Sequence, residues 1–305
     1  MATSFEPLTG VHAAPIEELG DVSPGELEAM QDESPLDPRT LYYRWERQQW
    51  EAEKIDLEGD RVSWQEGFDA RGRKSILAVL SCCFVQGPKA EDLLVPFVDA
   101  VPTEDQQVFM TTHLVDTARR TVFFDRFFSE VVHRRGQGSP RETSQLGVAN
   151  QGVREIVDLI SENADEVRRT RDVSDELLAG LLLHDVVLEG VTAATAERSL
   201  FGRLAELDSL RGLRTGLAAL LRDQGRHVQF AVGFVGSYVS PRDGRGEALH
   251  DALGRSVGLV ERVFESAAEA SGDFESLGFD HAHLSSEAFG ALARRVQDLG
   301  LDLPT

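Results

Sequence analysis

Glu189 and His227 are the residues of this chain best suited to chemistry. Glu189 stands in the apolar run Val186-Val187-Leu188-Glu189-Gly190-Val191, where a carboxylate is costly unless it meets a partner. His184 lies five residues before it. His227 ends the segment Leu221-Arg222-Asp223-Gln224-Gly225-Arg226-His227, three residues after Gln224. The segment Val115-Asp116-Thr117-Ala118-Arg119-Arg120-Thr121-Val122 repeats that spacing at Thr117 and Arg120, and His113 lies one turn before Thr117. Residues three or four apart share a helix face. Carboxylates and imidazoles presented this way from four helices build a dimetal site, which takes two lone glutamates and two Glu-x-x-His pairs. The carboxylates offset and bridge the metal charge, and each imidazole adds a neutral nitrogen.

The elements that must position these residues read as helices. Apolar positions recur at three and four residues over 71–98, 103–135, 142–170, 174–207, 210–240, 246–271 and 285–299, with Gly87-Pro88 interrupting the first. Thr103 followed by Glu104 and Asp105, and Ser174 followed by Asp175 and Glu176, are helix starts. No alternating strand and no solenoid repeat is present. Several helices near thirty residues, joined by short loops, imply an all-α antiparallel bundle. Residues 1–38, rich in Pro, Gly, Ser and acid, read as a mobile acidic tail.

Composition narrows the functions. A net charge of −21 over 305 residues disfavours nucleic acid and anionic membranes as partners. It suits solubility or a salty habitat. Adjacent Cys82 and Cys83 do not suit a disulfide and read as buried thiols. With no secretory signal and no long apolar span read in the chain, a cytoplasmic location is expected. Phosphate loops, Cys-x-x-Cys pairs and a Gly-x-Ser-x-Gly elbow are missing. His281 and His283 read as loop residues. Phe123, Phe124, Phe127 and Phe128 read as core and dimer packing.

The three segments above, together with the lead-in Trp50, Ile55-Asp56-Leu57, Asp60-Arg61 and Trp64, resemble the ribonucleotide reductase small-subunit family. The branch that the chain resembles most is the ligand-binding oxidases. The resemblance covers about residues 41–240. It implies a ferritin-like bundle at 39–245, with the helices of 246–305 as C-terminal additions packed on the same domain. It places Glu189 as the lone glutamate ligand, His227 as a histidine ligand, and Asp223 and Arg226 as residues that orient ligands. It also places Thr117, Arg120 and Gln224 where the family has Glu, His and Glu, and Gly87-Pro88 where it has two glutamates. Glu91 could stand in only with a shift of one turn. His184 occupies the position of a crosslinking tyrosine, which excludes that crosslink. Tyr42, Tyr43 and Tyr238 lie at no helical offset from Glu189 or His227.

Two of six ligands therefore remain. The expectation is a chain with no metal cofactor, Glu189 and His227 being weak candidates, and with a cavity lined by Gly87, His113, Thr117, Arg120, His184, Glu189, Gln224 and His227. Arg120 is expected to pair with Glu189 in place of the metals. The corresponding function is a non-catalytic structural or regulatory homologue, as a homodimer or a heterodimer with a metal-bearing relative. The alternatives are an oxidoreductase with one Fe or Mn held by Glu189, His227 and His113 or Glu91, and a small-molecule carrier using the emptied cavity.

Overall fold

The computed structural model describes residues 8–31, 33–83, 89–132, 150–239 and 245–301, and among these there is no strand. The helices start where their capping residues stand. Asp37 accepts from the Thr40 amide to open α1 (Pro38–Arg47). Thr103 and Gln106 form a reciprocal capping box at α4 (Glu104–Phe127), after α2 (Ala70–Leu80) and α3 (Lys89–Ala100). Asn150 caps α5 (Gln151–Thr170), and Ser174 caps α6 (Asp175–Glu206). Helix α7 (Arg211–Tyr238) opens on the Asp60 carboxylate, which accepts from the Gly212 and Leu213 amides at 2.9 and 2.6 Å. That is the structural role of Asp60 in the lead-in. Helix α8 (Arg245–Ser271) packs on α5 and α6, and α9 (His281–Asp298) packs on α8 and α6.

Helix α7 is the axis of the core, buried almost without a break from Gly212 to Val232. Gly190 lets α6 approach it, since a Cβ there would lie 2.5 Å from a Val228 methyl. Phe123, Phe124, Phe127 and Phe128 are all buried in the core. Helix α6 is long and apolar enough to cross a bilayer by composition, contrary to the reading that no such span exists. Of its apolar window, 94% is buried inside the bundle.

Two expectations are corrected. The supposed tail is ordered from residue 9 to 31: short helical turns at Gly10–His12 and Ile16–Asp21 and a helix at Pro24–Gln31 bury Val11, Leu19, Leu27 and Met30. Gln31 donates to the Leu221 carbonyl and Arg222 to that of Ala14, so apolar contacts and α7 side chains hold the arm despite its acidic composition. His281 and His283 lie in the first turn of α9, capped by Asp280, rather than in a loop. Gly87 lies outside the described residues, as does the side chain of Glu91. Cys82 and Cys83 are free and buried, and burial pushes the Cys82 thiol up to about 12.

Candidate metal centre

Leu182–Ala193, the middle of α6, is wound as a π-helix. Its turns close between residues five apart, and such stretches recur at functional sites. This winding brings His184, Asp185 and Glu189 onto one inward face. They meet His113 of α4, and the four residues present one donor atom each, all within 4.8 Å of one another.

The donors are poorly satisfied from within. Both ring nitrogens of His113 and Oδ2 of Asp185 are buried without a hydrogen-bond partner. His113 Nε2 lies 3.5 Å from Glu189 Oε2 and 3.8 Å from Asp185 Oδ1. His184 Nδ1 donates to Asp185 Oδ1 at 2.8 Å. Burial and the neighbouring His227 charge hold the His113 pKa below its ordinary value, so that its ring is neutral with a lone pair to offer. A neutral imidazole beside two carboxylates is the donor chemistry of a first-row divalent ion.

His227 plays another part. Its ring stacks on His113, with centroids 3.5 Å apart. Its Nδ1 lies 2.8 Å from Glu189 Oε2 and its Nε2 3.2 Å from Asp116 Oδ2. A ring facing a carboxylate at each nitrogen must donate from both, as an imidazolium. Burial opposes that charge, but Glu189 and Asp116 overcome it and raise the His227 pKa to about 9. Burial likewise opposes a charged Glu189, and the His227 imidazolium holds its carboxyl well below the usual range. His227 is therefore committed to orienting Glu189.

Asp223 and Arg226, expected to orient ligands, touch none of the four donors, and Arg226 meets Asp116 instead. Arg226 donates to Asp116 Oδ2 at 2.8 Å and to Asp223 Oδ1 at 2.5 Å, while Trp50 donates to Asp223 and Trp45 to Asp116. Asp116 then holds His227.

Arg120 does not meet Glu189 directly. It donates to Glu197 Oε1 at 2.7 Å and to the Cys83 carbonyl. Glu197 lies two turns beyond Glu189 on α6 and is fully buried. Burial raises its pKa to about 7 against the pull of Arg120. The Gln224 amide approaches Glu197 without reaching hydrogen-bond geometry. Thr117 turns its hydroxyl back to the His113 carbonyl.

Sequence reasoning gathered His113, His184, Glu189 and His227 but missed Asp116, Asp185 and Glu197. One signal was available for Asp185, because Asp185 and Glu189 are four apart, two acids on one face of an apolar run. Glu197, eight beyond Glu189, continues that face.

No protein-family model and no curated protein matches the chain. Solved structures do. An R2-like ligand-binding oxidase with an aerobically reconstituted Mn/Fe cofactor superposes with a TM-score of 0.71 at 18% identity, over 86% of this chain and 92% of that one. Two point mutants of such an oxidase, with Mn/Fe cofactor reconstituted aerobically in one and anaerobically in the other, each give 0.72 at 18% identity over 86% of this chain and 92 and 93% of theirs. The chain thus has the fold of the R2-like ligand-binding oxidases, a ferritin-like helical bundle. The expectation of no metal cofactor is overturned. The matched structures carry Mn/Fe, and a buried His/Asp/Glu group that could hold a metal ion is present here. The expectation followed ligand positions residue by residue and so could not see donors assembled one turn away.

Proposed function

We propose that this protein is an oxidoreductase of the ligand-binding oxidase type that holds a single manganese or iron ion through His113, His184, Asp185 and Glu189. The observation that carries this reading is the set of unpartnered donors, His113 Nδ1 and Nε2 and Asp185 Oδ2, buried beside Glu189. Buried polar atoms left unpaired are costly, and a bound ion would satisfy one nitrogen of His113 and the Asp185 oxygen together. An ion of this kind supplies one-electron and dioxygen chemistry when bound. The chain's own residues orient and enclose it. The His227 imidazolium, fixed by Asp116, keeps Glu189 ionised and aimed at His113. The apolar residues Leu182, Leu183, Val186 and Val187 of the same stretch are buried from water.

The test is metal content per chain after expression with manganese and iron supplied. About one ion per chain is expected, falling to background in an H113A/D185N double variant. Less than about 0.1 ion per chain in the parent would overturn the reading. A second reading is favoured by Thr117, Arg120 and Gln224, which offer no carboxylate or imidazole. In it the loaded chain is non-catalytic and partners a metal-bearing relative. Dioxygen uptake with an external reductant separates the two, since only the oxidoreductase turns over.

A further inference from the structure

Arg120 and Glu197 form a second buried ionic unit beside the four donors, and the mechanism above does not use it. Arg120 lies two turns beyond His113 on α4, as Glu197 lies two turns beyond Glu189 on α6. The two helices thus present two successive sites to the same interior.

We infer that Arg120 is a resident cation that fixes the metal count of the bundle at one, and that Glu197 is the ligand a second ion would take in its absence. This rests on the single-ion reading of the first site. Three observations support it. Glu197 is fully buried, and its Oε1 is held at 2.7 Å by the guanidinium. Its Oε2 has no partner, so the carboxylate retains acceptor capacity facing the interior. The Gln224 amide lies next to it, also without a partner in good geometry. This is a half-built oxygen-donor site with a cation already in it.

The identity of the cation decides the outcome. Guanidinium has no lone pair to give a metal and does not deprotonate in proteins. A histidine in its place could lose its proton and admit an ion, whereas a lysine paired with Glu197 would keep its charge. Arg120 cannot lose its proton, and its charge also acts on Glu189. An incoming divalent ion at Glu197 would face a fixed positive charge in a medium of low dielectric.

Mn(II) titration of the full chain, followed by the electron paramagnetic resonance of free Mn(II), tests this. The parent is expected to take up about one equivalent, and R120H a second, bound roughly 10- to 100-fold more tightly than any second equivalent in the parent. R120K should stay at one, and R120H/E197Q should return to one. R120Q removes the charge at similar size and carries the same expectation of a second, weaker equivalent, so a misfolded R120H does not decide the matter. Two equivalents in the parent, or one in both R120H and R120Q, would overturn the inference and leave the four-donor site standing. No equivalent in the parent with one gained in R120H would do the reverse: it would sink the four-donor site and keep Arg120 as the excluding cation.

Discussion

The histidine end and the arginine end of the buried polar cluster both draw on α4 and α6, yet they handle a buried carboxylate in different ways. Around Glu189 the neighbours are His113, His184 and His227, groups that can be neutral or charged. Around Glu197 the neighbour is Arg120, which is always charged. In the proposed single-ion reading the first environment exchanges a proton for a metal ion. The second has its cation built in. Two carboxylates in one apolar run thereby acquire different chemistry, and the difference lies in the lone pairs of the residues opposite them.

Breaking the arginine end should have the largest effect. An R120A variant leaves Glu197 buried without its cation and should lose about 3 to 5 kcal/mol at pH 8, read by urea denaturation of the metal-free chain. The loss should shrink at pH 5, where Glu197 takes up a proton. An equal loss at both pH values would show that Glu197 is not the group involved.

Ion binding at the histidine end comes next. Saturating Mn(II) at about 100 times its dissociation constant should stabilise the parent by about 2.7 kcal/mol. The D185N variant should show little of that gain, although its metal-free stability should be close to the parent's. Equal metal-induced shifts in the two melts would remove Asp185 from the site.

The spacing of α6 and α7 is a lever on the histidine end alone. G190A drives a Cβ toward a Val228 methyl 2.5 Å away. It should cost about 1 to 3 kcal/mol and weaken Mn(II) binding by spreading Glu189 from His227. The count of equivalents in R120H should be unchanged by it.

The pH dependence of the metal-free chain sharpens the comparison further. Glu197 has its pKa raised from 4.5 to about 7, so the folded state binds the proton more tightly than the unfolded chain. That term is absent below pH 4.5. It erodes stability as the pH rises to about 7 and then levels off. An E197Q variant should lose this slope. Glu33 on the N-terminal arm has the opposite sign and the smallest effect. Burial works against its charge, but His12 and Arg44 lower its pKa to about 2. Its contribution is complete above pH 4.5 and is lost as the pH falls through 2. Because Glu33 is partly exposed, E33Q should cost below about 1 kcal/mol at pH 7, measured by thermal melting.

The helical bundle was legible because it depends on periodicity and end signals that are local. Thr103, Ser174 and the apolar run of α6 announce themselves within a few residues, and the segments around Glu189 and His227 carry the resemblance. Half of the site was legible too, since a buried-looking acid and histidines in apolar helices invite the question of a partner. The choice of partner was not legible. Arg120 could be assigned to Glu189 as readily as to Glu197, because both lie on one face of α6 and only the axial offset of α4 against α6 separates them. The role of His227 also depended on Asp116 coming within 3.2 Å of its far nitrogen. The acidic arm at 9–31 misled for a related reason. Composition describes a segment's preference for water, while its order depends on four apolar side chains finding α7.

The sequence by itself therefore determined an all-α bundle and showed a glutamate and histidines set in apolar helices. Tertiary structure decided which donors converge. The π-wound stretch Leu182–Ala193 rotates His184 and Asp185 toward Glu189, and the close approach of α6 and α7 at Gly190 sets His227 beside them. Charge-assisted hydrogen bonds form only at about 3 Å, so shifts of a single helical turn select the partner of each charge.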